Sequence, residues 1–152
     1  MATNGKLEVE IEVKSNADKF WSIIKDSASI FPKAFPNDYK SIEILEGDGN
    51  TVGSVRLVTF GEGSPFVKIN KEKIDDIDDS KRTLTYSVID GDLLKYFKQL
   101  KSHLSVTPKG DGSLVKWSSE YEKDSQEVPE PEIIKEFAVN TFLKVDEYIL
   151  NA

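Results

Sequence analysis

The stretch Glu46-Gly47-Asp48-Gly49-Asn50-Thr51-Val52-Gly53-Ser54 decides how the rest of the chain is read. Its glycines let the backbone take positive φ and turn its amides outward, which suits a phosphate cradle, a tight hairpin, or both. As a phosphate cradle it fits poorly. A P-loop needs Gly-x-x-x-x-Gly-Lys-Ser/Thr running into a helix, whereas Gly53 is followed by Ser54-Val55-Arg56. The dinucleotide pattern Gly-x-Gly-x-x-Gly is missed by one residue of spacing. The adjoining run, Ser54-Val55-Arg56-Leu57-Val58-Thr59-Phe60, is β-branched and reads as a strand. Gly47, Gly49 and Gly53 are therefore expected to join two strands.

Working outward, residues 39–45, 52–60, 66–74, 82–89, 93–107 and 113–123 read as a meander of antiparallel strands. Turn chemistry separates them: the glycine loop, Gly61-Glu62-Gly63-Ser64-Pro65, Asp75-Asp76-Ile77-Asp78-Asp79, Asp90-Gly91-Asp92, and Pro108-Lys109-Gly110-Asp111-Gly112. Upstream, Leu7, Val9, Ile11 and Val13 alternate with charged residues as a half-buried strand. Ser15 and Asp18 form a capping pattern, after which Ala17, Phe20, Trp21 and Ile24 share a helical face. A second short helix is expected over Ser27–Ala34, with Pro32 in its first turn. Downstream, Glu127-Val128-Pro129-Glu130-Pro131-Glu132 opens a long helix. Ile133, Ile134, Phe137, Ala138, Thr141, Phe142, Val145, Tyr148 and Ile149 recur along it at helical spacing.

The order is strand, two short helices, six strands, long helix. A seven-stranded antiparallel sheet must cover its inner face, and the C-terminal helix is the large apolar element left to do it. The expected fold is a single α+β domain over residues 1–152, with a curved sheet gripping that helix around an incompletely filled interior.

The 152 residues carry 27 acidic against 20 basic side chains, a net charge of −7, which disfavours generic binding to nucleic acid or anionic membranes. Absence of cysteine removes disulfides, zinc–thiolate sites and a cysteine nucleophile. The first residues show no apolar signal region, so a reduced, cytoplasmic home is expected. The lone histidine, His103, falls on the outer sheet face by alternation and gives a triad nothing to stand on. The acidic run at residues 75–79 lacks the glycine and terminal glutamate of an EF-hand loop and reads as a solvated turn. Trp21 reads as core.

Several stretches carry a resemblance along the whole chain. They are Gly5-Lys6-Leu7-Glu8-Val9, Ala17-Asp18-Lys19-Phe20-Trp21, Phe31-Pro32-Lys33-Ala34-Phe35-Pro36-Asn37-Asp38-Tyr39, Glu46-Gly47-Asp48-Gly49 and Gly61-Glu62-Gly63-Ser64-Pro65. Tyr86-Ser87-Val88-Ile89-Asp90-Gly91, Gly110-Asp111-Gly112-Ser113-Leu114-Val115-Lys116-Trp117 and Ile134-Lys135-Glu136-Phe137-Ala138 complete the set. With them the chain resembles the major latex protein branch of the plant Bet v I superfamily, the class-ten pathogenesis-related proteins. The resemblance implies a helix-grip fold of the START type and a large internal cavity for hydrophobic or amphipathic small molecules. Sterols, fatty acids, lysophospholipids, flavonoids and cytokinins are the ligands it brings with it. It also implies a plant cytosolic storage, transport or stress role; the expectation for this chain is a monomeric carrier without cofactor or metal. Two other roles in the superfamily fit less well. A weak ribonuclease would use Arg56, Glu147 and Tyr148 with the glycine loop. An abscisic-acid receptor needs a Ser-Gly-Leu-Pro-Ala gate and a His-Arg-Leu latch, where this chain has Gly61-Glu62-Gly63-Ser64-Pro65 and Asp92-Leu93-Leu94.

Alternation assigns the inward residues once one face is fixed. Arg56, Val58 and Phe60 match the family's inward positions on the third strand. Val67, Ile69, Lys71 and Lys73 share a face on the fourth, Leu84, Tyr86 and Val88 on the fifth, and Leu100, Ser102 and Leu104 on the sixth. Tyr39 and Trp117 belong to the second and seventh. Ile24 and Phe31 close the cavity, and Ile134, Phe137, Ala138 and Thr141 roof it. Plain core packing is the alternative for each apolar residue taken singly. The polar residues on this face favour a pocket over a dry core. With Arg56, Lys71 and Lys73 pointing in, the ligand would carry an anionic head.

Overall fold

A computed structural model of the chain describes residues 3–64, 67–128 and 131–151. Seven antiparallel strands form one sheet in the order β1-β7-β6-β5-β4-β3-β2. The strands are β1 (Asn4–Val13), β2 (Tyr39–Glu46), β3 (Val55–Phe60), β4 (Ile69–Asp78), β5 (Thr83–Gly91), β6 (Phe97–Lys109) and β7 (Gly112–Lys123). The helices are α1 (Ala17–Lys25), α2 (Ser27–Ala34) and α3 (Glu132–Leu150), with a single 3-10 turn at Asp92–Lys95. The α+β class, the seven strands and the long C-terminal helix are those expected.

β2 to β7 run as successive hairpins, while β1 returns to pair with β7. β1 and β2 therefore lie at opposite edges of the sheet, and α1 and α2 carry the chain from one edge to the other. Register shifts in β2, β4 and β6 mark bulges, which bend a strand and raise its twist. That bending lets the sheet wrap one helix.

α3 is 19 residues, about 28 Å at 1.5 Å per residue. Its C-terminal half is bolted down. Phe142 packs against Phe20 of α1 with ring centroids 6.3 Å apart, and it and Val145 are buried in the core that also holds Val106 of β6 and Val115 of β7. Asp146 accepts the Ser15 amide at 2.9 Å and the Ser15 hydroxyl, and Lys144 pairs with the buried Asp38. Its N-terminal half, around Ile134, Phe137 and Ala138, is only half-buried. One end of the domain is densely packed, and the other is spanned by a helix that does not fill it.

Several local expectations give way to contacts from afar. Ser15 does not cap α1, because its hydroxyl is taken by Asp146. The cap is Asn16, whose side chain accepts the Asp18 and Lys19 amides. Pro32 lies in the second turn of α2 rather than the first. β3 starts at Val55 rather than at residue 52, and the strand expected from residue 93 starts only at Phe97, after the 3-10 turn. Asp75, Asp76 and Asp78 belong to β4 instead of a turn, the Asp75 carboxylate accepting from the Ser87 hydroxyl on the neighbouring strand. Asp79 at the end of that run accepts the Trp21 indole NH at 3.0 Å and pairs with Lys25, which hold its carboxyl below the usual range. The expectations for Pro65, Phe66, Pro129 and Glu130 fall outside the described residues.

The Asp146 tie joins the connection between β1 and α1 to the last helix of the chain. Asp146→Ala leaves the Ser15 amide unpaired and should destabilise the protein by about 1–3 kcal/mol. The expected result is a lower urea midpoint at unchanged m-value. An unaltered midpoint would show that the tie carries no stability.

Candidate ligand cavity

Sheet and α3 enclose a cavity over β2 to β7. The centre of a water molecule can visit about 150 Å³ of it, and the empty space between atoms, open mouth included, is about 950 Å³.

One wall is aromatic. The Tyr39 ring lies 5.0 Å from Phe31, 5.7 Å from Phe60 and 5.5 Å from Phe137, and Phe60 and Phe137 meet edge-on at 5.5 Å. Such tilted pairs contribute about 0.5–1.5 kcal/mol beyond burial. The Thr141 hydroxyl donates to the Phe137 carbonyl, so it accepts from Tyr39 at 3.0 Å. Burial pushes the Tyr39 phenol well above the ordinary phenol range.

Across the sheet runs a polar stripe that no single strand contains. Arg56 on β3 stands opposite Glu72 on β4, Tyr86 on β5 opposite Ser102 on β6, and Ser102 opposite Ser119 on β7. Residues paired in this way point to the same face. The Arg56 guanidinium donates to Glu72 Oε1 at 3.0 Å and to Ser27 Oγ of α2 at 2.8 Å. The Ser102 hydroxyl donates to Ser119 at 3.1 Å, and the Trp117 indole NH donates to the Tyr86 hydroxyl at 3.3 Å. Burial first, then the Glu72 charge, pushes the Tyr86 phenol up. Two buried atoms of the inner face have no partner among the described residues: Arg56 Nε and Asn70 Oδ1.

Of the residues expected inside, Ile24, Phe31, Tyr39, Arg56, Val58, Phe60, Leu84, Tyr86, Val88, Leu100, Ser102, Leu104, Trp117, Ile134, Phe137, Ala138 and Thr141 all line this cavity. On β4 the phase is reversed. Val58 pairs with Asn70 and Arg56 with Glu72, so Asn70 and Glu72 point in. Ile69, Lys71 and Lys73 therefore point out, Lys71 opposite Leu57 and Lys73 exposed. Val67 precedes the strand and lines an adjoining recess with Phe60, Ser64, Asn70, Leu93, Ile133, Ile134 and Phe137. The sequence misleads here because Ile69 and Ile74 sit in opposite phases, each beside two polar residues, so hydropathy does not choose the inward one. The expected cationic face of Arg56, Lys71 and Lys73 does not form.

Ser27, Ile42, Asn70, Glu72, Leu93, Ser119 and Phe142 also line the cavity and were missed. Alternation from Trp117 points to Ser119, and the α3 periodicity points to Phe142. Hydropathy offers nothing for Glu72 or Asn70, whose placement needs the register with β3.

The amides of Gly49, Asn50, Thr51 and Gly53 in the glycine loop are engaged with partners within the protein. Gly47, Gly49 and Gly53 take positive φ of 75°, 91° and 89°, as a tight connection of β2 to β3 requires. The amides of Gly49 and Thr51 donate to the buried Ser54 Oγ at 3.2 and 3.4 Å. Asn50 donates to Asp48, and Gly53 to the Ile74 carbonyl. Glu147 and Tyr148 lie in a separate shallow groove beside Phe35 and Lys144, away from the cavity that Arg56 lines. His103 lies on the outer face, within 3.0 Å of the Thr85 hydroxyl and 3.6 Å of Glu120.

A curved sheet gripping one helix over a mostly apolar hollow with a few polar groups defines a small-molecule-binding class of domain. The chain belongs to the Pathogenesis-related protein Bet v 1 family, which it matches over residues 2–152. It is 52% identical over 150 residues to MLP-like protein 423 of Arabidopsis thaliana, covering 99% of this chain and 97% of that protein. It is 42% identical over 151 residues to Ribonuclease 1 of Panax ginseng, covering 95% of this chain and 97% of that one. Among solved structures, ginseng major latex-like protein 151 superposes with a TM-score of 0.87 at 26% identity, covering 97% and 98% of the two chains. Norcoclaurine synthase from Thalictrum flavum, in complex with dopamine and hydroxybenzaldehyde, does so with a TM-score of 0.82 at 26% identity, covering 97% and 87%. Major latex names prevail, and enzyme names occur among the relatives. Among the described residues no helix is long and apolar enough to cross a membrane.

The buried phenols give the site an alkaline signature. An unfolded chain releases tyrosine protons near pH 10, whereas the folded one holds those of Tyr39 and Tyr86 to higher pH. Above about pH 10 the unfolded state binds fewer protons, so stability falls as pH rises. Tyr39→Phe should flatten this fall, measured as the pH dependence of the urea midpoint between about pH 9 and 11. An unchanged slope would place the Tyr39 hydroxyl in water.

Proposed function

We infer that this protein is a reversible carrier of small hydrophobic or amphipathic molecules, held in the cavity between sheet and α3 without covalent chemistry. The observation that carries this reading is the hollow itself, an apolar chamber crossed by one polar stripe. Burial of apolar ligand surface contributes about 25 cal/mol per Å² before ordering costs. The stripe sets orientation. A family built on this ligand-binding fold supports the reading, as does a structural relative solved in complex with dopamine and hydroxybenzaldehyde. α3 is tied at its C-terminal half and half-buried at the other, which suits a roof that yields to ligands larger than the resting space. The same reading has the protein act as a cytoplasmic monomer in defence, stress or development.

A ribonuclease is the second reading, favoured by the relative of that name. Its residues do not converge here: Arg56 is held by Glu72 and Ser27, the loop amides are engaged internally, and Glu147 and Tyr148 face another groove.

Ala138 lines the cavity from α3, so Ala138→Phe separates a hollow from a packed core. In a hollow the larger ring occupies empty space. Affinity for an uncharged apolar dye such as Nile red should fall at least ten-fold with little change in thermal stability. In a packed core the same change would cost about 1–3 kcal/mol. Destabilisation with unchanged dye binding would refute the carrier reading. Cleavage of RNA by the purified chain, lost in Glu147→Gln, would replace it with the nuclease.

A further inference from the structure

Arg56 is the one cationic side chain lining the cavity among the described residues, and it is already engaged. Its Nη2 lies 3.0 Å from Glu72 Oε1 and its Nη1 lies 2.8 Å from Ser27 Oγ. The Arg56 and Glu72 side chains are 13% and 12% exposed, so the pair is drawn largely out of water while adding no net charge to the wall. A carboxylate or phosphate head brought to this stripe meets Glu72 along with Arg56. An anion accepting from the free Arg56 Nε–H would sit on the same guanidinium as the Glu72 carboxylate, a like charge at close range. One that took the Nη2 donor would displace Glu72, leaving a desolvated carboxylate without its partner, the costly way to break a buried pair. The phenols of Tyr39 and Tyr86, held neutral by burial, bring no positive charge in compensation.

What the stripe does offer is neutral. Arg56 Nε is a buried donor without a partner, and Asn70 Oδ1 is a buried acceptor without one, on a residue that is 4% exposed. Asn70 stands opposite Val58 and Glu72 opposite Arg56, so Arg56 and Asn70 are diagonal neighbours on the inner face. A hydroxyl both accepts and donates, which matches one unpaired N–H beside one unpaired carbonyl oxygen; a carboxylate only accepts. Asn70 also lines the adjoining recess, so its amide stands where the two spaces meet.

We propose that the cavity selects uncharged, hydroxyl-bearing amphiphiles and rejects those with carboxylate or phosphate heads, with Glu72 as the excluding residue. This rests on the carrier reading above. The test is displacement of Nile red from the full chain at pH 8 by 1-decanol, decanoate and decylammonium, which share a tail and differ in head charge. Decanol should displace the dye at a concentration at least ten-fold below either ion, with decanoate no better than decylammonium. Glu72→Gln removes the competing charge and should raise the affinity for decanoate relative to decanol at least ten-fold. Decanoate outrunning decylammonium ten-fold on the unaltered protein would overturn the proposal, as would an unchanged decanoate-to-decanol ratio in Glu72→Gln. The first of these needs no folded variant. In either case dye displacement would leave the carrier reading standing. Failure of the dye and all three amphiphiles to bind would remove both.

Discussion

Seven strands spaced by about 4.8 Å make a sheet roughly 29 Å across, while a helix with its side chains is about 10–12 Å wide. One helix laid on such a sheet covers a band of it, and the sheet must curl for the remainder to find cover. Bulges in β2, β4 and β6 supply the bend. The C-terminal half of α3 closes against β1 and α1, with Phe142 against Phe20, Val145 in the same core and the Asp146–Ser15 tie. Beyond that contact the surfaces diverge. The cavity is the geometric remainder of a two-layer fold with too little helix, and the aromatic cluster of Tyr39, Phe60 and Phe137 lines the gap without filling it.

Because the gap is not filled, its wall tolerates groups that a dry core would not. Arg56, Glu72, Tyr86, Ser102 and Ser119 form a transverse band in which each member is supported by a neighbouring strand or helix. An ion pair of this kind stabilises little, since desolvation offsets most of the Coulomb gain, and its value lies in what it fixes. Here it sets the charge of the pocket to nil while holding α2, β3 and β4 in register through one guanidinium. The glycine loop shows the same economy. Ser54, placed under the turn, takes the amide bonds that a phosphate would have needed.

Much of this was legible in the chain. The alternation of Leu7, Val9, Ile11 and Val13, the helical face of Ala17, Phe20, Trp21 and Ile24, and the long periodic run after residue 132 each record a local rule: side chains repeat every 2 residues in a strand and every 3.6 in a helix. The inward faces of β3, β5, β6 and β7 obey that rule, and their residues do line the cavity. β4 did not, because Ile-Asn-Lys-Glu-Lys-Ile carries an isoleucine in each phase and no apolar majority in either. Ser15 misled for a kindred reason. Its capping pattern with Asp18 was sound locally, but Asp146, 131 residues away, offered the hydroxyl a better acceptor. The acidic run looked like a turn until partners on β5 and α1 engaged its carboxylates.

The elements, their order, the turn at Gly47, Gly49 and Gly53, and most of the apolar wall follow from local spacing along the chain, since each depends on a few neighbouring residues. Which face of β4 turns inward, that Glu72 answers Arg56, and that Asn70 keeps an unpaired amide oxygen inside follow from the assembled sheet alone. Those facts are pairings between strands. Cross-strand register is set by which partner a group meets across about 5 Å of sheet, and no periodicity along one strand records the identity of the residue opposite.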